Sequence, residues 1–207
     1  MWVSVLIGVL ISYLLGNVNG AVCMSALKND DVRTHGSGNA GLTNFIRNYG
    51  FSSALYVILI DAGKAVLACV LTGLLLQPYG LYLEGTAIGG LAVMLGHNFP
   101  ALLGFRGGKG ILSGLFIAFT VDWRIALIIL AVFLVAYLLT QYVSLGSVLA
   151  AAAFAVSFVL LHLDNLTVAI CGGIMGALAV FMHRGNILRL IKGTERKTNL
   201  FKKGESQ

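Results

Sequence analysis

Seven apolar runs, most of them near the length of a membrane-crossing helix, leave this 207-residue chain little to fold into except a helical membrane bundle. They fall at Val3–Ala26, Ser52–Leu76, Glu84–Leu103, Gly110–Val121, Trp123–Leu139, Leu145–Leu161 and Leu166–Met182. In hydrocarbon each backbone N–H and C=O must find its partner within the same segment, so runs of this kind become helices. The expected fold class is therefore all-α, a polytopic integral membrane protein. Composition excludes a soluble enzyme: 58% of the residues are hydrophobic and 11% charged, with a mean hydropathy of +0.90. Residues 1–193 read as one transmembrane domain and residues 194–207 as a basic cytoplasmic tail, the one stretch with a disordered character.

The fourth run is short, since twelve residues at about 1.5 Å each reach only about 18 Å. Charge decides how to count it. If all seven runs cross, twelve of the fourteen basic residues share one side, among them Arg33, Arg47, Arg106, Lys109, Arg184 and Arg189. The opposite loops hold only Arg124 beside Glu84, Asp122 and Asp164, and Lys64 lies inside a run. Dropping the fourth run alone would put the basic tail outside, so the number of crossings is expected to be odd. Seven is the expectation and five the fallback, with the N-terminus outside and the C-terminus cytoplasmic. No basic stretch precedes the first run, which therefore reads as an anchor, not a cleaved signal. Cys23, Cys69 and Cys171 have no metal-type spacing and read as packing residues, so no metal, disulfide or cofactor is proposed. The net charge of +6 is attributed to orientation and contact with anionic lipid, not to nucleic-acid binding.

Three polar islands interrupt the apolar sequence. In the first, Gly36, Gly38 and Gly41 satisfy G-x-G-x-x-G, but the strand that a dinucleotide-binding unit needs before it is missing. What remains is local physics: glycines turn backbone N–H groups toward an anion, and Ser37, Asn39, Thr43 and Asn44 add neutral donors beside the charge of Arg47. A loop capped by Ser or Asn before the next helix is the alternative. The second island, Phe105-Arg106-Gly107-Gly108-Lys109-Gly110, imitates a P-loop, yet Leu103 stands where its first glycine belongs and Gly110 where Ser or Thr is required. Two cations, three glycines and a helix start still suit phosphate, with Arg106 able to clamp two oxygens and Lys109 acting as a point charge. His97 just before it reads as a supporting residue, because a lone histidine at a helix end is more often structural than catalytic.

The third island, Tyr142-Val143-Ser144, offers a hydroxyl that either donates to a substrate or caps the following helix. Beyond the last run, His183 and Asn186 share a helical face, with Arg184 and Arg189 nearby. Within the second run Asp61 and Lys64 stand three apart, and a buried structural salt bridge is favoured over substrate contact.

Together these pieces resemble the bacterial acyl-phosphate-dependent glycerol-3-phosphate acyltransferase family, PlsY. The matching stretches are Gly36 to Asn44 with Arg47, Asp61 with Lys64, Gly96-His97-Asn98-Phe99-Pro100, Phe105 to Gly110, Tyr142 to Leu145, and His183 to Ile187 with Arg189 and Gly193. The resemblance implies a seven-helix inner-membrane enzyme that moves a fatty acyl group from acyl phosphate to the 1-hydroxyl of sn-glycerol 3-phosphate, yielding lysophosphatidic acid and inorganic phosphate. It makes Ser37, Lys109, Ser144 and His183 the catalytic candidates. Phosphate contacts are expected from Ser37, Gly38, Asn39, Thr43, Asn44, Arg47, Arg106, Gly107, Gly108, Lys109, His183 and Asn186, with Asp61, Lys64 and His97 in support. An upstream enzyme that forms acyl phosphate is the implied partner. The family commonly carries Lys where this chain has Arg106, which weakens a direct role for that side chain.

An activated mixed anhydride needs little from a protein base, and the chain lacks the His-x4-Asp motif of thioester-dependent acyltransferases: the fifth residues after His35, His97, His162 and His183 are Ala40, Leu102, Thr167 and Leu188. Two acceptors for the hydroxyl proton stay open, the substrate phosphate and His183. A transporter for a phosphorylated metabolite is the competing class, and the gathering of polar islands at one boundary without an inverted repeat argues against it. A purely structural membrane protein would leave both phosphate-type loops without a purpose.

Overall fold

The computed structural model describes residues 1–198, and every regular element among them is helical. In chain order these are α1 (Trp2–Asn17), α2 (Gly20–Ala26), α3 (Leu42–Tyr49), α4 (Ala54–Leu76), α5 (Tyr82–Asn98), α6 (Ile111–Val121), α7 (Trp123–Thr140), α8 (Val143–Leu161), α9 (Leu166–Met182) and α10 (Arg184–Ile191), with single 3-10 turns at Val32–Thr34, Gln77–Tyr79 and Ala101–Leu103. By length and apolarity, α4, α5, α7 and α8 each qualify as a membrane span, and the bent pairs α1–α2 and α9–α10 bring the number to six. The eleven residues of α6 are too few for that test.

Small residues let the helices approach closely, as expected where lipid offers no hydrophobic drive between them. At the crossing of α1 and α5 a Cβ on Gly16 would stand 2.4 Å from the Val93 carbonyl, and one on Gly96 2.1 Å from that of Tyr13. Gly85 and Gly89 face α4, and Gly172 and Gly176 face α8, so both glycine pairs pack inside the chain. Val93 and Met94 of α5, Ile117 of α6, Ile125 of α7 and Phe158 of α8 fill the centre.

The turns define two ends. At one, the Asp122 carboxylate before α7 lies 3.3 Å from His162 after α8, and Asn165 before α9 donates to Glu84 at the start of α5. Ser4 in α1 meets Tyr79 near that same end. The polar islands meet at the other. Since Gly110 and Tyr142 flank the α6–α7 pair at the island end and Asp122 turns it at the far end, α6 runs out and α7 runs back despite the shortness of α6.

Three boundaries differ from expectation. The first apolar run is not one helix: α1 and α2 meet at 43°, because the Asn19 side chain caps α2 by accepting from the Val22 N–H at 3.0 Å, and Gly20 lets the chain press against the Val57 backbone. Pro100 stops the third run, so that α5 ends at Asn98. The sixth begins two residues early, at Val143, which places Ser144 in the first turn of α8 with Tyr142 in the cap position. Ser144 is therefore not the cap. Of the expected tail, Thr194, Glu195 and Thr198 are hydrogen-bonded to the bundle, and Lys202 and Lys203 lie outside the described residues.

Candidate active site

At the island end a cavity of about 780 Å³ receives residues from seven helices and their loops. Ser37, Asn39, Thr43 and Arg47 line it from the first island and α3; Lys109 from the second; Ser144 from α8; and His183, Asn186 and Arg189 from the bend before α10 and from α10 itself. Its deeper wall is apolar, formed by Leu112 and Leu115 of α6, Ile129, Leu130 and Phe133 of α7, and Ala150 of α8. Cationic and hydroxyl groups thus open onto an oily interior, an arrangement suited to a molecule with a phosphate head and an alkyl chain.

Each loop has its own local cause. Gly36 and Gly38 have φ of +57° and +68°, a left-handed region that side chains with a Cβ rarely adopt. The buried Asn44 ties the resulting turn together: its amide lies within 3.1 Å of the carbonyls of Val32, His35 and Asn39, and its oxygen accepts from the Ser37 N–H at 3.1 Å. Asn44, expected among the phosphate donors, thus shapes the loop while also lining the cavity. Gly41 caps α3 without any side-chain bond, so neither Ser37 nor Asn39 caps that helix.

In the second island the Gly108 N–H donates to the His97 carbonyl at 3.1 Å, which folds the glycine loop back onto the end of α5. Gly110 then opens α6, whose N-terminus carries no side-chain cap and whose first residues, Gly110 and Ile111, face the cavity. A helix start of this kind favours an anion. Lys109 donates to Asn186 Oδ1. Burial and the neighbouring Arg189 and Arg47 cations, opposed by Glu195, lower the Lys109 ammonium to a pKa of about 8. Arg106, by contrast, is exposed, and neither it nor Gly38, Gly107 or Gly108 belongs to the cavity wall. An N–H of Arg33 reaches the Leu103 carbonyl at 2.9 Å and so ties the two islands at the surface.

His183 sits at the bend beyond the end of α9. Its Nδ1 lies 2.8 Å from the Ala179 carbonyl, which can only accept, so Nδ1 carries the hydrogen and Nε2 holds a lone pair. Burial, and less strongly the Lys109 charge, lower its pKa to about 4, so at neutral pH the ring is uncharged.

Below these groups lies the buried pair expected from the sequence. Lys64 Nζ is 2.8 Å from Asp61 Oδ1 and 2.8 Å from His97 Nδ1, and it donates to the Val18 carbonyl at 2.6 Å. Asp61 also accepts from the Gly20 N–H at 3.2 Å, and both Asp61 and His97 reach the cavity wall.

Sequence reasoning missed Glu195, placed by it in a disordered tail. Gly193, at φ +67°, ends α10 and turns the chain back. Glu195 then accepts from Asn186 Nδ2 at 2.9 Å and from Arg189 Nε at 2.7 Å. Thr198 continues across the opening, bonded to the Gln141 carbonyl, the Tyr137 hydroxyl and Arg47. The Gly185-Asn186 and Gly193-Thr194-Glu195 stretches are the signal that was available. The apolar wall had none, because its leucines look like any others in a span.

Set beside known proteins, residues 6–193 match the family profile described as Glycerol-3-phosphate acyltransferase. The chain belongs to this family of integral membrane acyltransferases, the PlsY family. Among its relatives is a glycerol-3-phosphate acyltransferase of Thermoanaerobacter sp. (strain X514), 41% identical over 192 residues, covering 91% of this chain and 92% of that protein. Another, from Clostridioides difficile (strain 630), is 36% identical and covers 94% and 95% of the two chains. The crystal structure of PlsY in its glycerol 3-phosphate form superposes with a TM-score of 0.84 at 33% identity, over 96% of this chain and 100% of the other. That of its lysophosphatidic acid form gives a TM-score of 0.81 at 32% identity, over 95% and 96%.

Proposed function

We propose that this chain acylates the 1-hydroxyl of glycerol 3-phosphate with acyl phosphate as donor, at the cytoplasmic face of a bacterial inner membrane that it crosses seven times with its N-terminus outside. The observation that carries the reading is one cavity lined by Lys109, Arg47, Arg189 and Ser37 together with apolar residues of α6, α7 and α8. Both substrates bear a phosphate and one bears an alkyl chain, and this cavity offers donors for the first and burial for the second.

The chemistry asks for positioning and charge stabilisation more than for a strong base. Lys109, Arg47, Arg189 and the α6 N-terminus offset the repulsion between two phosphates. The substrate hydroxyl oxygen attacks the acyl carbonyl, the bond from that carbon to the phosphate oxygen breaks, and phosphate leaves carrying the hydroxyl proton. Ser37 and Ser144 lie where hydroxyls can donate to phosphate or to the carbonyl oxygen as it gains charge. With a pKa of about 4, His183 is a weak base, and its Nε2 serves better to orient the hydroxyl than to remove its proton.

The test is phosphate release by purified protein given palmitoyl phosphate, with and without glycerol 3-phosphate, beside palmitoyl-CoA as donor. Release requiring both substrates supports the reading, whereas activity with the thioester alone would overturn the donor.

A further inference from the structure

The buried cluster of Asp61, Lys64 and His97 does more than neutralise charge inside the bundle, because it joins the α1–α2 break, whose Asn19 holds the first anion loop, to His97, whose backbone carbonyl holds the second. The three side chains belong to residues 2%, 6% and 4% exposed. They converge on the break between α1 and α2, where Lys64 takes the Val18 carbonyl and Asp61 takes the Gly20 N–H. Between those two residues, the Asn19 side chain donates to the Ala40 carbonyl in the first loop at 3.0 Å. The other arm is His97. Its carbonyl accepts from the Gly108 N–H, and its ring lies directly under the second loop, for a Cβ on Gly108 would stand 2.2 Å from His97 Nε2 and 2.8 Å from the Ala40 carbonyl. An ammonium only donates, so Lys64 fixes Nδ1 as the acceptor and leaves the hydrogen on Nε2, the nitrogen turned toward Gly108.

We propose that Asp61, Lys64 and His97 act as a strut that sets the distance between the Ala40 and Gly108 loops, so that groups from the two loops grip substrate anions together. The inference rests on the acyl-transfer reading for its kinetic consequence, though not for its effect on anion binding. They are positioning residues. Loop misplacement of about 1 Å costs on the order of 10²-fold in rate when two reactants must be held in register. A salt bridge serving only the fold would have no reason to reach Ala40 through the helix break or to place an imidazole against Gly108.

Two variants of the full chain in detergent test this. His97→Asn keeps an acceptor for Lys64 and removes the ring behind Gly108; Asp61→Asn with Lys64→Gln removes both charges and keeps hydrogen-bonding atoms. Folded, monodisperse protein is compared with wild type by the melting shift on adding glycerol 3-phosphate and by kcat and KM with palmitoyl phosphate. The strut predicts that at least one variant folds, loses most of the glycerol 3-phosphate shift and drops about 10²-fold in kcat/KM. Wild-type shift and kinetic constants in the folded fraction, or failure of both variants to fold, would overturn it in favour of a scaffold role. If wild type shows the shift without acyl transfer, the reaction reading is at fault and the shift alone decides the strut; if it shows neither, both fall.

Discussion

Lys109 carries the sharpest expectation for a single side chain. Its pKa of about 8 means that the ammonium is present below that pH and lost above it, mainly because burial disfavours the charge. Since kcat/KM reports the free enzyme, it should fall as pH rises through about 8. Lys109→Arg should move that fall upward and Lys109→Ala should lower kcat by about 10²-fold or more at neutral pH; a flat alkaline profile in wild type would contradict this. His183→Gln should keep kcat near normal at saturating substrate, with a rise in KM, because an uncharged ring of pKa about 4 orients more than it abstracts. A collapse of kcat there would make His183 the base. At this scale charge and hydroxyl chemistry single out Ser37, Arg47 and Lys109 in the sequence, and the structure brings all three to one cavity. The sequence could not show that the Asn44 carboxamide, which lines the cavity, also holds three loop carbonyls, or that Arg106 is exposed and outside the cavity lining. Both have one physical cause, since spacing along a chain says nothing about which way a loop turns.

Among the elements, the crossing of α1 and α5 is the tightest constraint. Gly96→Val would drive atoms into the Tyr13 carbonyl, and Gly16→Val into that of Val93. Overpacking of this kind costs about 1–3 kcal/mol, read as a lowered melting temperature in detergent, and an unchanged melting temperature would show that the helices separate freely. The strap after α10 has the opposite character. Glu195 fixes Asn186 and Arg189 through two short bonds, so Glu195→Ala should raise KM for glycerol 3-phosphate several-fold as those donors lose their common anchor. An unchanged KM would make the strap a bystander. Composition hid it, because Thr194 to Lys197 is polar throughout and looks like solvated tail, while the bonds that hold its far end at Thr198 involve Gln141 and Tyr137, more than fifty residues away. The break between α1 and α2 was hidden for a related reason: the lysine that takes the Val18 carbonyl comes from another helix.

For the molecule as a whole, the helical class was legible in the hydropathy pattern, and the orientation proposed from the charge pattern counts α6 as a crossing. In vesicles of a variant with Cys23, Cys69 and Cys171 replaced by Ser, a cysteine at Arg106 should react with an impermeant thiol reagent from the cytoplasmic side only and one at Arg124 from the outside only. Labelling of both from one side would contradict the seven-span account. Cavity, loops and strap all meet at the basic end, which is where a phosphorylated soluble substrate and a membrane-borne acyl chain can reach one another. The central claim is that both substrates are consumed in this one cavity, and the direct measurement is conversion of radiolabelled glycerol 3-phosphate into lysophosphatidic acid by purified protein supplied with palmitoyl phosphate. The account predicts labelled lysophosphatidic acid in equal amount to released phosphate, and loss of both in Lys109→Ala. Phosphate release without labelled lipid, or equal lipid formation by the folded Lys109→Ala protein, would contradict it.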